Sequence, residues 1–322
     1  MDDNYLKIFQ ELFFNIEENE DVKEIIEQSS WVLASIITKF GELQNEISYG
    51  TSRQHDFVDT VICLFIRKIM EQLDAINVLF SVGSFTQAQI ILRALIENII
   101  TLEFILKDDT EKRAASYYLE HHYQEIELGV RCFNKNSKYG KLILAQKGEE
   151  QFNSDCEKYR KKKEAFQRII KSKEIFQKVD EARNKKLNEK EKEKNKKAYV
   201  QWYEVCSNVS NFYQLMKEAG YEKYYQGIYG GLSNETHALN SAMGMSVDEN
   251  GICLKRIRNL EEGSSTLSIA CTFSVSVLNE IYKYLNDGED ERKDFQSFFL
   301  DFQKKRDIAC QNLDMIKSSQ NN

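Results

Sequence analysis

Arg93 and Glu97 lie one helical turn apart in a run, Ser84 to Leu106, that is otherwise apolar enough to fill the middle of a helical bundle. Gln89 and Thr101 continue the four-residue spacing, so the four side chains share one slowly drifting stripe of a helix. Buried charge without a partner is costly. The stripe therefore serves one of two ends. It is a clasp holding neighbouring helices, or a site in which Arg93 binds a phosphate or carboxylate and Glu97 orients it.

A second polar constellation runs through Tyr225, Tyr229, Ser233, His237 and Asn240, again at spacings of three or four. His237 has the chemistry of a general acid or base, because an imidazole titrates near working pH. Ser233 is a good helix N-cap, and its use as a nucleophile would need a strand-turn-helix elbow that a helical chain lacks. The plain alternative is a capping serine beside a hydrogen-bonded histidine. A third group, Glu120-His121-His122 with Glu125, puts His121 and Glu125 on one face. The chain contains no Glu-x-x-His pair of the kind that di-iron bundles use, so no metal site is expected. Phosphate-cradling glycine loops, dinucleotide fingerprints and zinc-deaminase signatures are also missing, and no cofactor is expected.

The elements that must position these residues are helices. Among 322 residues there is no proline, where usage near ~5% is ordinary, and this suits long helices joined by glycine and asparagine turns. Apolar spacing predicts helices over 4–18, 21–47 (with Asp21 as N-cap), 52–82, 84–106, 110–133, 199–218, 233–243, 263–286 and 290–316. Gly83 and Ser84 join 52–82 to 84–106 as a helical hairpin. Residues 134–140 read as a loop, and Val247 to Ile257 around Asn250-Gly251 as a short β-ribbon near 245–260. The expected fold is mainly α: a helical bundle with an inserted charged helical arm and one β-hairpin. Its parts are residues 1–140 with the hairpin 52–106, the arm 141–198, and residues 199–322 completing the bundle.

Charge is unevenly placed. Residues 157–197 hold 17 Lys and Arg against 8 Asp and Glu, so about +9 sits against a chain total of −7. That arm is either a solvated helical hairpin or a surface for RNA or another polyanion, since lysines track phosphates without reading bases. Leu187 to Lys197 reads as an exposed helix or a flexible connection. Seven scattered cysteines form no C-x-x-C pair, so plain buried thiols are expected. The start lacks a basic segment followed by an apolar core, and Arg93 and Glu97 interrupt the most apolar run. A cytoplasmic location without membrane insertion is the expectation.

Residues 73–106 and 221–241 resemble the bacterial domain-of-unknown-function family DUF5677. The resemblance rests on Leu92-Arg93-Ala94-Leu95-Ile96-Glu97 after a Gly83-x4-Ala88 step, then Tyr225-x3-Tyr229-x3-Ser233-x3-His237, and on the Asn250-Gly251 ribbon. It spans roughly 50–290 with the basic arm as an insertion, and it implies no established activity. The hairpin at Gly83 with Ala88 and Ala94 also resembles, more loosely, HEPN domains. Many of those are dimeric, metal-independent ribonucleases of toxin and phage-defence systems. Their Arg-x4–6-His motif is absent here, Arg53 to His55 being too short and Arg113 to His121 too long. Two functions lead as expectations. One is a defence or toxin-type effector whose Arg93 and His237 pocket, with Glu97 and Ser233, acts on RNA or a phosphorylated ligand. The other is a non-catalytic interaction or sensor module, binding a protein partner or a second copy, in which Arg93, Glu97 and His237 are a structural clasp. A small-molecule hydrolase or transferase using Ser233 is a third.

Overall fold

The computed structural model describes residues 19–50, 57–194, 198–234, 244–248, 251–255, 257–258, 261–285 and 289–320. The first described helix, α1 (Glu20–Asn45), is capped by Asn19, whose side chain accepts from the Val22 amide at 3.2 Å; Asp21 sits in the first turn instead of capping it. A π-helical turn, Glu46–Gly50, extends α1. Helices α2 (Phe57–Ser81) and α3 (Phe85–Lys107) form the expected hairpin. The Gly83 and Ser84 amides return to the carbonyls of Phe80 and Leu79, both at 2.9 Å, and Gly83 has a φ of 69°. This left-handed stop satisfies the last carbonyls of α2 and releases the chain straight into α3.

The chain then builds α4 (Thr110–Cys132), α5 (Lys138–Lys147), α6 (Glu149–Ser172) and α7 (Glu174–Lys194). Residues 134–140 are not all loop: Ser137 caps α5 by accepting from the Gly140 amide at 2.8 Å. The charged region is three helices, broken at Gly148 and Lys173, and its lysine-rich end stays helical to Lys194. Residues 199–218 are likewise two helices, α8 (Trp202–Cys206) and α9 (Phe212–Ala219). Between them the Ser207 hydroxyl accepts from the Val209 amide and the Asn211 side chain from the Gln214 amide. Such short polar side chains compete with helical hydrogen bonding and recap the next turn.

A second π turn, Tyr225–Tyr229, leads into α10 (Gly230–Asn234). Strands β1 (Met245–Asp248) and β2 (Gly251–Leu254) then pair antiparallel, Met245 opposite Leu254 and Asp248 opposite Gly251, which is the expected ribbon. Helices α11 (Gly263–Tyr284) and α12 (Glu289–Gln320) close the chain. The expected helix over 4–18 lies outside the described residues, as does the 235–243 part of the helix expected over 233–243.

Two compact units result. Residues 1–107 and 216–322 make one, and residues 108–215 the other. The inserted unit therefore takes in more chain than the 141–198 arm. In the first unit, α3 packs between α2 and α11, α1 lies on α2, and α12 returns against both α11 and α1. Leu92, Leu95, Ile96, Ile99, Ile100 and Phe104 of α3 are fully buried, as are Ile62, Ile69 and Ile76 of α2 and Phe273 and Leu278 of α11 to within 1%. In the second unit, α4 contacts α5, α6, α7 and α8. Phe176 and Val179 of α7 and Val200 are buried there, none more than 3% exposed. No helix among the described residues is long and apolar enough to cross a membrane.

Candidate functional site

The Gln89, Arg93, Glu97 and Thr101 stripe runs along the half-buried edge of α3, not through the core. Its partner is the π turn. An extra residue in this turn lets the Gly230 amide reach back to the Tyr225 carbonyl, and the widened geometry stacks Tyr225 on Tyr229 at 5.6 Å. Tyr229 then faces α3. Its hydroxyl accepts from Arg93 Nη2 at 3.2 Å and donates to Glu97 Oε1 at 2.7 Å, while Arg93 Nε lies 3.4 Å from the same carboxylate oxygen. The guanidinium also stands 5.0 Å from the centre of the Tyr229 ring, within cation–π range. One phenol thus holds both ends of an ion pair. Burial and the neighbouring carboxylate push the Tyr229 hydroxyl up to about 12, and its hydrogen bond to Arg93 raises the guanidinium further. Tyr229 is a neutral bridging group at any working pH.

Two flanking residues keep the stripe in place. Gln89 donates to Glu262 at 3.3 Å, where Glu262 adopts a left-handed backbone (φ 65°) just ahead of α11 and also accepts from Ser265. The Thr101 hydroxyl donates to the Glu97 carbonyl at 2.7 Å. Ser233 follows Tyr229 by one turn and is half-buried on α10, which packs on α3. His237 and Asn240 lie outside the described residues. His121 belongs to the other unit: it is largely exposed on α4, 4.0 Å from Glu125. Among the described residues no group of three His, Cys, Asp or Glu side chains could hold a metal ion.

A second site on α3 was not anticipated from the residues. Glu103, only 5% exposed, accepts a hydrogen bond from the Tyr221 hydroxyl at 2.8 Å, and that hydroxyl lies 2.5 Å from Ser276 Oγ of α11. Gly220 makes this possible. With φ at 99° it ends α9 in the same left-handed stop as Gly83, and the Tyr221 amide bonds the Met216 carbonyl at 2.7 Å. The turned chain drops the Tyr221 ring onto Phe273, 5.0 Å away and nearly parallel. An open cleft of about 490 Å³ lies above, lined by Glu103, Lys107, Tyr221, Lys223, Ser276 and Lys283 among others. The signal in the sequence was a lone carboxylate between Leu102 and Phe104, off the Arg93 stripe and on the apolar side of the helix.

Burial pushes the Glu103 carboxyl up to about 7, against the opposing pull of Tyr221 and Ser276. An acid whose folded value lies above its unfolded one binds its proton more tightly in the native state, so its contribution to stability falls as pH rises. The window runs from the ordinary glutamate value of 4.5 to about 7. At most about 3 kcal/mol is lost across it, at ~1.4 kcal/mol per unit. Urea midpoints at pH 5 and pH 8 should differ less in Glu103→Gln than in the parent; equal differences would contradict the burial effect.

A family model described as a family of unknown function, DUF5677, matches residues 59–252. In sequence that span holds α3, the second unit, the π turn, β1 and the first half of β2, but not Ser276 or Lys283. No curated protein and no solved structure matches the chain.

Proposed function

Since the chain belongs to DUF5677, a family of unknown function, membership brings no activity with it, and we propose from the geometry that the protein is a non-catalytic interaction or sensing module in which Arg93, Tyr229 and Glu97 form a clasp. The observation that carries this reading is the Tyr229 hydroxyl, which receives from Arg93 and gives to Glu97 at once. An arginine held by its own protein through two contacts and a ring face is built to fix the 225–234 segment against α3. A phosphate ligand would have to displace those partners first. Tyr229→Phe, which keeps the ring and removes the bridge, is expected to lower stability by about 1 kcal/mol, as for a typical hydrogen bond. The loss should shrink in the Arg93→Ala, Glu97→Ala background. Equal losses in both backgrounds would remove the clasp.

One observation favours the second reading, an effector acting on RNA or a phosphorylated ligand. The Arg93 and Glu97 side chains are 24% and 43% exposed, so the cluster opens to solvent. On that reading Arg93 would stabilise phosphorane charge and His237 would move the proton. The basic arm supports it less than its composition suggested. Arg160 is held by Glu157 and Glu164, Lys162 by Glu125, Arg183 by Glu127, and Lys190 by Glu204. Exposed Lys163, Arg168 and Lys171 on α6 and Lys185 and Lys192 on α7 would form the polyanion surface on that reading. Incubation of total RNA with the protein and with His237→Ala separates the readings: cleavage by the parent and not by the variant would replace the clasp with a catalytic site.

A further inference from the structure

We propose that the cleft over Glu103 binds a small phosphorylated molecule carrying hydroxyl groups, its phosphate held by Lys107, Lys223 and Lys283 and a hydroxyl bonded to Glu103. The inference goes beyond the clasp and does not depend on it. A volume of about 490 Å³ suits a ligand of sugar-phosphate or mononucleotide size. Three ammonium groups and two carboxylates, Glu103 and Glu280, line it, so the cleft carries an excess of positive charge. All three lysines are exposed, and each has one contact described within the protein. Lys107 donates to the Glu218 carbonyl at 2.5 Å, Lys283 pairs with Glu280 at 2.7 Å, and Lys223 lies over the Tyr224 ring at 4.9 Å. Each ammonium has three donors, and these contacts leave donors for an anion. A dianionic phosphate gains more from such point charges than a carboxylate does.

The floor has the opposite character. Glu103 sits among apolar residues of α3, where a leucine would pack without desolvating a charge. Its carboxyl instead lines the cleft, held in one orientation by Tyr221 with Ser276 beside them. A fixed, water-shielded carboxyl is a selective acceptor for a hydroxyl, because a ligand lacking that donor leaves it unmatched. With the group titrating near neutrality, it can also donate when protonated. Tyr221, rigidly stacked on Phe273, and Tyr224, edge-on to the same ring at 5.8 Å, give the wall an apolar face for a ribose or base.

The probe is ribose 5-phosphate, titrated into the full chain by NMR, with ribose and inorganic phosphate as partial ligands. Ribose 5-phosphate should shift the Tyr221 and Ser276 signals and bind tighter than either partial ligand. Glu103→Gln, nearly isosteric and checked for fold by circular dichroism, should weaken it about tenfold, close to 1.4 kcal/mol. Lys107→Ala with Lys283→Ala, both on the surface, should weaken it further and flatten its salt dependence. No shift at the cleft by ~10 mM ligand, a concentration far above the ~1 mM that corresponds to weak binding, would overturn the site. Equal affinity for inorganic phosphate, or an unaffected Glu103→Gln, would overturn the hydroxyl contact. Equal affinity for ribose would overturn the phosphate contact. Arg93, Glu97 and Tyr229 are untouched by these variants, so the clasp stands or falls separately.

Discussion

Arg183→Ala is expected to destabilise the 108–215 unit by about 3–5 kcal/mol, the range for breaking a buried ion pair by removing one partner. Arg183 is 5% exposed, and its guanidinium carbon lies over the Tyr123 ring, 3.8 Å from its centre. It stands 3.4 Å from Glu127 and 3.9 Å from Glu120, itself 5% exposed. Tyr199 donates to Glu120 at 2.6 Å and Tyr123 to Asp180, so α4, α7 and the segment before α8 share one polar knot. Removing the cation strands a carboxyl that already resists ionisation: burial raises Glu120 despite Tyr199, Gln124 and Arg183. Amide exchange in α4 and α7 should accelerate by the matching factor, reporting on this unit alone. Arg183→Met with Glu120→Gln should recover most of the loss, because replacing both ends removes the desolvation with the attraction. A loss below ~1 kcal/mol, the scale of an exposed pair, would show that the knot is solvated.

That knot explains why the charged arm was only partly legible. Its composition announced helices and a positive excess, and both are present. Which cations face solvent was not readable, because it depends on where Glu120, Glu125 and Glu127 of α4 come to lie against α6 and α7. Arg183 looked like any other residue of a lysine-rich run. Local signals fared better. Gly83 stops α2, the ribbon expected around 250–251 pairs as β1 and β2, and the period of α3 names its buried face. Helix breaks at Gly148, Lys173 and 207–211 were missed: Gly148 takes a φ of 78°, Lys173 turns extended, and the Ser207 and Asn211 side chains recap the backbone at 207–211.

The site followed the same division. Arg93 and Glu97 were visible through their spacing, and Tyr225 and Tyr229 through theirs. The role of Tyr229 was not, because it needs a π turn, which widens the helix by one residue and has no sequence period of its own. Glu103 was hidden for a simpler reason. It breaks an apolar run without forming a stripe, and its partner Tyr221 lies 118 positions further along the chain. A lone polar residue in a core helix is thus the weaker sequence signal and, in this fold, the more deeply buried one.

Phe85→Ala is expected to cost about 3–5 kcal/mol, as large-to-small changes of buried aromatics do. Phe85 is fully buried at the first position of α3, edge-on to Phe80 with ring centres 4.5 Å apart. It fills the corner where the α2–α3 stop meets the start of α11. Gly263 lets it do so: a β-carbon there would stand 3.2 Å from two ring carbons of Phe85 and 3.5 Å from Leu313. The residue before it, Glu262, holds the left-handed turn that accepts from Gln89. Loss of the ring therefore undercuts the end of the Arg93 stripe as well as the core. Gly263→Ala gives the decisive control. In the parent it must push the ring and should destabilise by about 1–3 kcal/mol, the usual penalty of overpacking. In the Phe85→Ala background the new methyl group enters vacated space and should cost little or be favourable. A double-mutant cycle from urea unfolding reads the difference as a coupling between the two positions. Additive losses would mean that the ring and the glycine do not meet.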